Sequence, residues 1–104
     1  METLDLRPAH LEMVKRILAE RAPDTEVWAF GSRVTHTGHQ GSDLDLVFLD
    51  PVDPDRPQPG LASLAAAFSE SDLPISVDVL DWAHLPEFMR RQIEVEHVVV
   101  QPGG

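Results

Sequence analysis

Cysteine is absent from the 104 residues of this chain, which excludes a disulfide framework, a thiolate metal site and a cysteine nucleophile. No uninterrupted apolar run approaches the roughly 18 residues of a membrane-spanning helix, and the N-terminus has no basic region followed by an apolar core. We therefore expect neither secretion nor membrane insertion. A cytoplasmic location is the default expectation.

Basic residues are scarce in comparison with acidic ones. The chain has 8 lysines and arginines against 18 aspartates and glutamates, for a net charge of −10. Because binding to a nucleic-acid backbone requires clustered lysines and arginines, we expect no direct binding to nucleic acid. The acidic excess suits a basic protein partner or bound metal carrying a triphosphate, and it also suits simple solubility.

The length suffices for one core, so residues 1–104 are expected to form a single domain. Helical and period-2 spacings of apolar residues predict a small mixed sheet covered by helices, an α/β (α+β) fold in the order α-β-β-α-β-α. The predicted helices span 8–21, 61–71 and 85–94, and the predicted strands span 26–30, 44–49 and 75–80, with an edge strand or arm at 97–100. The proline-rich residues 50–60 are predicted to be an exposed loop.

Aromatic and apolar side chains on two of these elements are expected to face the core. Trp28 and Phe30 fall on one face of the first strand, where they are interpreted as core aromatics. Leu85, Phe88 and Met89 are expected to supply the apolar stripe of the last helix.

Two aspartates interrupt the apolar residues at the start of the second strand. Asp43 and Asp45 are two positions apart, so strand alternation puts both carboxylates on one face. Like charges this close are costly unless a positive group lies between them. The pair therefore predicts a site for a divalent cation, and oxygen-only ligands favour Mg²⁺ or Mn²⁺.

Gly31 and Ser32 directly follow the first strand. A residue without Cβ lets backbone N–H groups approach a phosphate, and a serine can cap a short helix, so the two predict an anion cradle, although the same residues also form plain turns. Arg33 comes next and is interpreted either as a charge-assisted donor to phosphate oxygens or as a surface cation beside the acidic cluster.

Two histidines lie in the loop between the first two strands. The three-residue spacing of His36 and His39 could give two metal ligands on a helix, but no third ligand is evident nearby. Gly38 between them disfavours a rigid frame. We therefore interpret both as solvent-exposed loop residues.

A third carboxylate lies in the middle of the third predicted strand. A charged side chain at Asp78 is hard to explain as structure unless it pairs with a cation, so we interpret it as the third member of the acidic cluster. Asp50 and Asp81 are the rival candidates. Each ends its strand, which is more typical of a residue that caps or turns the chain.

An apolar strand ending in Gly31-Ser32, ten intervening positions, and then Asp43-Leu44-Asp45-Leu46 resembles the signature of the DNA polymerase β-like nucleotidyltransferase superfamily. The short segments Gly-Ser-Arg and Gly-Ser-Asp-Leu-Asp-Leu are most similar to those of the minimal nucleotidyltransferases, which are small proteins often paired with HEPN toxins. The resemblance covers nearly the whole chain and implies a palm-like fold.

The resemblance also implies a reaction and a set of site residues. Asp43, Asp45 and Asp78 would hold two Mg²⁺ ions and act as the catalytic carboxylates, while Gly31, Ser32 and Arg33 would bind the nucleotide. The reaction implied is transfer of AMP from ATP to a hydroxyl. In this family the acceptor is a tyrosine on a cognate HEPN ribonuclease toxin, so that the protein acts as an antitoxin.

The short chain is consistent with an acceptor that arrives on another protein, because larger superfamily members use a further domain to shape the acceptor pocket. Two alternatives stay open. The chain could neutralise its partner by binding and occlusion without catalysis, or it could modify small molecules as the aminoglycoside nucleotidyltransferases do. Replacing Asp43 and Asp45 with Asn separates catalysis from occlusion, and assays with small acceptors address the other alternative.

Overall fold

A mixed four-stranded sheet organises the fold in this computed structural model, which describes residues 4–38 and 42–103. The strand order is β3-β2-β1-β4, with β2 and β3 parallel and the other neighbours antiparallel. The helices are α1 (Pro8–Arg21), α2 (Ser32–Thr35), α3 (Leu61–Glu70) and α4 (Glu87–Val95), and the strands are β1 (Glu26–Phe30), β2 (Leu44–Leu49), β3 (Val77–Asp81) and β4 (Val98–Gln101). A 3₁₀ turn, Trp82–His84, follows β3.

The main core lies between one face of the sheet and two helices. Strand alternation gives this face the side chains of Val27 and Ala29 from β1 and of Leu44, Leu46 and Phe48 from β2, all fully buried. They pack against α1 and α3, whose buried residues recur at helical spacing. Because α3 crosses from the end of β2 to the start of β3, these two strands run parallel.

A smaller apolar cluster covers the opposite face. Val47 and Leu49 of β2 pack there against Trp82 and Ile93, which come from the 3₁₀ turn and α4. In consequence β2 is buried on both sides, and Asp45 is its one residue that is not buried. This half-exposed carboxylate therefore marks where the second apolar layer stops covering the sheet.

Several predicted boundaries are confirmed. The structure has α1, β1 and β2 at the predicted bounds, and the predicted final strand lies at an edge of the sheet. The expectation that Ser32 caps a short helix is wrong, because Gly31 holds the N-cap position and Ser32 is the first residue of α2. Trp28 packs against the second cluster, edge-on to Trp82 at 5.4 Å between ring centroids and stacked on His97 at 3.9 Å. Phe30 also packs against this cluster, so the interpretation of Trp28 and Phe30 as core aromatics is confirmed, although both side chains are only partly buried.

The predicted helix over 85–94 is displaced, and its apolar stripe is wrong in part. Pro86 holds the residue before it in extended backbone, so Leu85 closes the 3₁₀ turn and the helix begins at Glu87. In this register Phe88 points outward and is 66% exposed, while Ile93 is the buried residue of α4. The strand predicted over 75–80 likewise begins later, at Val77.

Of the helices in the described ranges, none is both long enough and apolar enough to cross a bilayer.

Candidate active site

Two of the predicted carboxylates lie side by side on neighbouring strands. Asp45 of β2 is the register partner of Asp78 of β3, and on its other side Asp45 is the register partner of Phe30 of β1. Residues in register on adjacent strands present their side chains on the same face of the sheet. The face that carries the second apolar cluster therefore also carries a row of side chains formed by Phe30, Asp45 and Asp78.

The pKa of Asp45 is raised by burial and by its position beside Asp78. Burial is the largest of the effects that raise the pKa of Asp45 to about 6, followed by the charge of Asp78, a hydrogen bond with the Asp78 side chain, and the charge of Asp43. All four effects disfavour the ionised form. A carboxylate in this position is stabilised by a proton or by a cation.

Asp43 reaches the same locality from a different position than the sequence predicts. It lies immediately before β2 rather than inside it, and it is exposed. Its charge nevertheless contributes to the raised pKa of Asp45. Asp43, Asp45 and Asp78 thus belong to one acidic locality, with Asp45 and Asp78 in direct contact and Asp43 at its edge.

Gly31 forms the wall of this locality on the β1 side. Its backbone has φ +81° and ψ −153°, and a Cβ at this position would lie 2.5 Å from Oδ2 of Asp45. Only glycine allows the chain to turn here while the Asp45 carboxylate lies against its Cα. The turn leads directly into α2, whose first residue is Ser32.

Gly38, which follows α2, lies close to both serines that flank the site. A Cβ on Gly38 would lie 2.6 Å from Oγ of Ser42 and 2.9 Å from Oγ of Ser32. The absence of a side chain at Gly38 therefore lets the end of the loop approach its beginning. As a result Ser32 and the residue before Asp43 lie close together, although they are far apart in sequence.

Arg33 is buried rather than exposed, with 6% of its surface accessible. Its Nε and Nη2 donate to the carbonyl oxygen of Ser42 at 3.1 and 2.9 Å, and its Nη1 donates to the carbonyl oxygen of Asp5 at 2.8 Å. These bonds connect α2 to the N-terminal segment and to the residue before Asp43. The interpretation of Arg33 as a surface cation is therefore wrong. Its contact with phosphate stays a prediction.

Replacing Arg33 with Lys is expected to lower the free energy of unfolding by about 2 kcal/mol. A single ammonium group cannot donate to the carbonyl oxygens of both Ser42 and Asp5 as the guanidinium does, so one buried carbonyl loses its hydrogen bond. Thermal unfolding followed by circular dichroism measures this effect. Arg16→Lys, on an exposed part of α1, is the matched control and should change stability little. An unchanged unfolding temperature in Arg33→Lys, combined with lost nucleotide affinity, would instead identify Arg33 as a phosphate ligand.

The rival aspartates have the structural roles expected of them. Asp50 accepts hydrogen bonds from the backbone N–H groups of Val52 and Asp53, which closes a turn after β2. Asp81 ends β3 and accepts from the N–H groups of Ala83 and Gln58. The interpretation of both residues as caps or turns is confirmed.

Only one of the two loop histidines belongs to the part of the chain that the structure describes. His36 is exposed at the end of α2 with a left-handed backbone, φ 60°. His39 lies outside the described residues. The prediction of exposure is therefore confirmed for His36 and untested for His39.

The donor set at the site suits a hard divalent cation. Across residues 4–38 and 42–103 no group of three or more His, Asp or Glu side chains is already drawn together around a single ion position. Asp45 and Asp78 nevertheless present facing carboxyl oxygens that share a hydrogen bond. Oxygen donors with unrelieved negative charge are the ligands that Mg²⁺ selects, so these residues fit the metal that the sequence predicts.

The place of Phe30 beside Asp45 is not evident from the sequence. Alternation identifies Phe30 only as a core-facing aromatic, whereas the register of β1 with β2 also brings it next to the carboxylates. The sequence does place the end of β1 and the start of β2 on either side of one loop. This would bring Phe30 next to Asp45 only if the two strands pair as a hairpin, which composition alone does not establish.

Comparisons with known proteins identify the family of this chain. Residues 11–100 match the family described as nucleotidyltransferase domain. A relative in Haemophilus influenzae (strain ATCC 51907 / DSM 11121 / KW20 / Rd), the probable protein adenylyltransferase MntA, is 46% identical over 100 residues, which cover 94% of this chain and 84% of the relative.

Two solved structures share the fold. One, described as a toxin-antitoxin with AMP-PNP, has a TM-score of 0.70 and 21% identity, covering 88% of this chain and 73% of that chain. The other, the toxin-antitoxin MntA-HepT, has a TM-score of 0.65 and 17% identity, covering 92% and 73%. The family match spans most of the sequence, so the chain belongs to the nucleotidyltransferase domain family, as its glycine-serine and aspartate motifs predict.

Proposed function

We propose that this chain is an Mg²⁺-dependent nucleotidyltransferase that transfers AMP from ATP to a tyrosine hydroxyl of a HEPN-type toxin. It would thereby act as the antitoxin of a cytoplasmic toxin-antitoxin pair. Residues 1–104 would form its single catalytic domain. The observation that carries the proposal is the pair of Asp45 and Asp78 on adjacent strands, with Asp45 packed against the backbone of Gly31.

The three aspartates would have different roles in the reaction because they occupy different positions. Asp43 and Asp45 would hold the metal that binds the triphosphate, while Asp78, on the outer strand of the pair, would face the acceptor and help to remove the hydroxyl proton. When bound, two divalent ions would supply charge neutralisation at the phosphates and at the attacking oxygen. Gly31 and Ser32 would bind the β- and γ-phosphates.

The chemical step would be a single displacement at the α-phosphorus. The tyrosine oxygen forms a bond to this phosphorus as the bond to the bridging oxygen of the β-phosphate breaks. Pyrophosphate leaves, and the hydroxyl proton passes to Asp78 or to water. No covalent intermediate with the protein is required, which agrees with a site built from carboxylates and backbone rather than from a nucleophile.

The choice of partner is supported by the known proteins rather than by geometry alone. The relative with 46% identity is described as a probable protein adenylyltransferase, and both solved structures with this fold are described as toxin-antitoxin assemblies. A protein acceptor agrees with these descriptions, and the AMP-PNP in one of the structures, an analogue of ATP, supports ATP as the donor. We extend the same activity and the same kind of partner to this chain.

Mass spectrometry of the partner tests the proposal. The purified protein is incubated with ATP, Mg²⁺ and the HEPN protein encoded beside it, and we expect the partner to gain the mass of one or more AMP units on tyrosine. An ATP analogue with a methylene group between the α- and β-phosphates is the control, because its corresponding bond cannot be cleaved. Formation of a stable complex without any gain in mass would favour neutralisation by occlusion.

A further inference from the structure

A mostly apolar groove of about 590 Å³ lies next to the acidic residues. One wall is the end of β1 and the turn into α2, formed by Phe30, Gly31 and Thr35. The other wall is α4, which contributes Met89, Gln92 and Ile93. This volume lies within the range of roughly 300–1,000 Å³ that is typical of small-ligand sites.

The groove and the acidic residues share a boundary. Gly31 lines the groove, and a Cβ at Gly31 would lie only 2.5 Å from Oδ2 of Asp45. Phe30 lines the groove and is the register partner of Asp45, whereas Asp78 lies on the opposite side of Asp45. A phosphate bound at Asp45 would therefore have the groove on the β1 side and the acceptor on the β3 side.

The walls have the chemistry of a site for a flat heteroaromatic ring. Phe30 offers an aromatic face, and Met89 and Ile93 offer a polarisable and an aliphatic surface. Gln92 is the uncharged amide in this lining, and a glutamine side chain can donate and accept hydrogen bonds at the edge of an adenine. Arg91 at the rim is paired with Glu87, and both are largely exposed.

We propose that this groove binds the nucleoside portion of the nucleotide, with the base against Phe30 and its polar edge toward Gln92. The inference rests on the proposed function, because it assigns the base-binding part of that same site. It gives α4 a part in substrate recognition, and it assigns to Phe30 and Gln92 the selection of the nucleotide. A segment of the protein partner is the competing occupant, and the experiment below distinguishes the two.

The experiment compares binding of Mg-ATP with binding of magnesium tripolyphosphate by calorimetry. Tripolyphosphate has the phosphates and the metal but no nucleoside, so the difference between the two affinities measures the contribution of the groove. We expect wild-type protein to bind Mg-ATP more tightly than tripolyphosphate. Because a stacked base contributes strongly to affinity, Phe30→Leu should weaken Mg-ATP binding about tenfold and leave tripolyphosphate binding within about twofold.

Two further variants control for changes in folding and for base identity. Gln92→Ala changes an exposed side chain and should reduce the preference for ATP over GTP by about threefold or more. Glu94→Ala, on the same helix but outside the groove, should bind both ligands as the wild type does. Thermal unfolding of each variant verifies that the fold is retained.

The outcomes separate failure of this inference from failure of the proposed function. If wild-type protein binds Mg-ATP and both groove variants bind it equally well, the nucleoside lies elsewhere and the inference is overturned, while nucleotidyl transfer stands. The inference is likewise overturned if the variants lose only affinity for the protein partner, since the partner then occupies the groove. If wild-type protein binds neither ligand in the presence of Mg²⁺, both proposals fail.

Discussion

Transfer of AMP is expected to fall by about a thousandfold or more when Asp45 is replaced by Asn, which corresponds to roughly 4 kcal/mol of transition-state stabilisation. Asn keeps the size of the side chain but removes the negative charge that would hold the metal between the triphosphate and the protein. Asp45 is the carboxylate in contact with both Asp78 and the Gly31 turn, so no neighbour can replace it. Incorporation of AMP into the partner, measured under single-turnover conditions, gives the rate.

The free energy of unfolding provides the internal control for Asp45→Asn, because this variant is expected to lose activity but to gain stability. The pKa of Asp45 is raised to about 6, so the folded protein without metal loses stability as the pH rises from about 4 through 6 and the carboxyl ionises. Asp45→Asn removes this loss. We expect the variant to be more stable than the metal-free wild type at pH 8 by about 1 kcal/mol, after allowance for solvent screening of a half-exposed group.

The comparison at pH 4 completes the control, since both side chains are then uncharged and the two proteins should unfold at similar temperatures. Mg²⁺ should raise the unfolding temperature of wild type at pH 8 more than that of the variant. Asp72→Asn, an exposed aspartate outside the site, should match wild type throughout. Undiminished AMP transfer by Asp45→Asn would refute the catalytic assignment, and lost transfer with intact toxin neutralisation would favour occlusion.

A single methyl group at Gly31 is expected to reduce AMP transfer by about a hundredfold and to destabilise the fold by about 2 kcal/mol. The backbone at Gly31 is in a region that residues with a Cβ rarely adopt, and the added Cβ would lie 2.5 Å from Oδ2 of Asp45. Gly31→Ala must therefore displace the carboxylate, the turn, or both. Initial rates and thermal unfolding measure the two effects.

Gly60 offers a closely matched control for this substitution. It also has a positive φ, +83°, but a Cβ there would meet nothing within 4 Å. Gly60→Ala should therefore show a backbone cost of about 1 kcal/mol and keep its activity. If Gly31→Ala and Gly60→Ala retain equal activity, the close contact between the Gly31 turn and Asp45 has no role in transfer.

Much of the fold follows from local signals. Pro8 at the start of α1, the helical spacing of Val14 and Leu18, and the apolar runs around the glycine loop predict α1, β1 and β2 at their observed bounds. The pairing of Asp45 with Asp78 is also within reach of the sequence, because a charged residue in the middle of a strand requires a partner. The signals for α1, β1 and β2 are strong because each depends on only a few neighbouring residues, whereas the sequence indicates only that Asp78 needs a partner and not its register with Asp45.

The remaining features depend on contacts between distant parts of the chain. The buried position of Arg33 is set by the carbonyl groups of Asp5 and Ser42, which no pattern around Arg33 indicates. Phe88 is 66% exposed while Ile93 is the buried residue of α4, because the side of α4 that faces the sheet is set by packing against distant residues rather than by the local spacing. The groove, in turn, exists only because α4 packs beside the end of β1.

The parallel pairing of β2 with β3 has a consequence for how activity arises during folding. Asp45 and Asp78 meet only after the chain has passed through the exposed loop at 50–60 and the whole of α3, and this long-range closure is typically slow. A complete chain in which β2 and β3 have not yet paired would therefore possess every motif residue and still lack a competent centre. Enzymatic activity would therefore require that β2 and β3 are paired. Proteolysis within 50–60, followed by separation of the fragments, would abolish the activity.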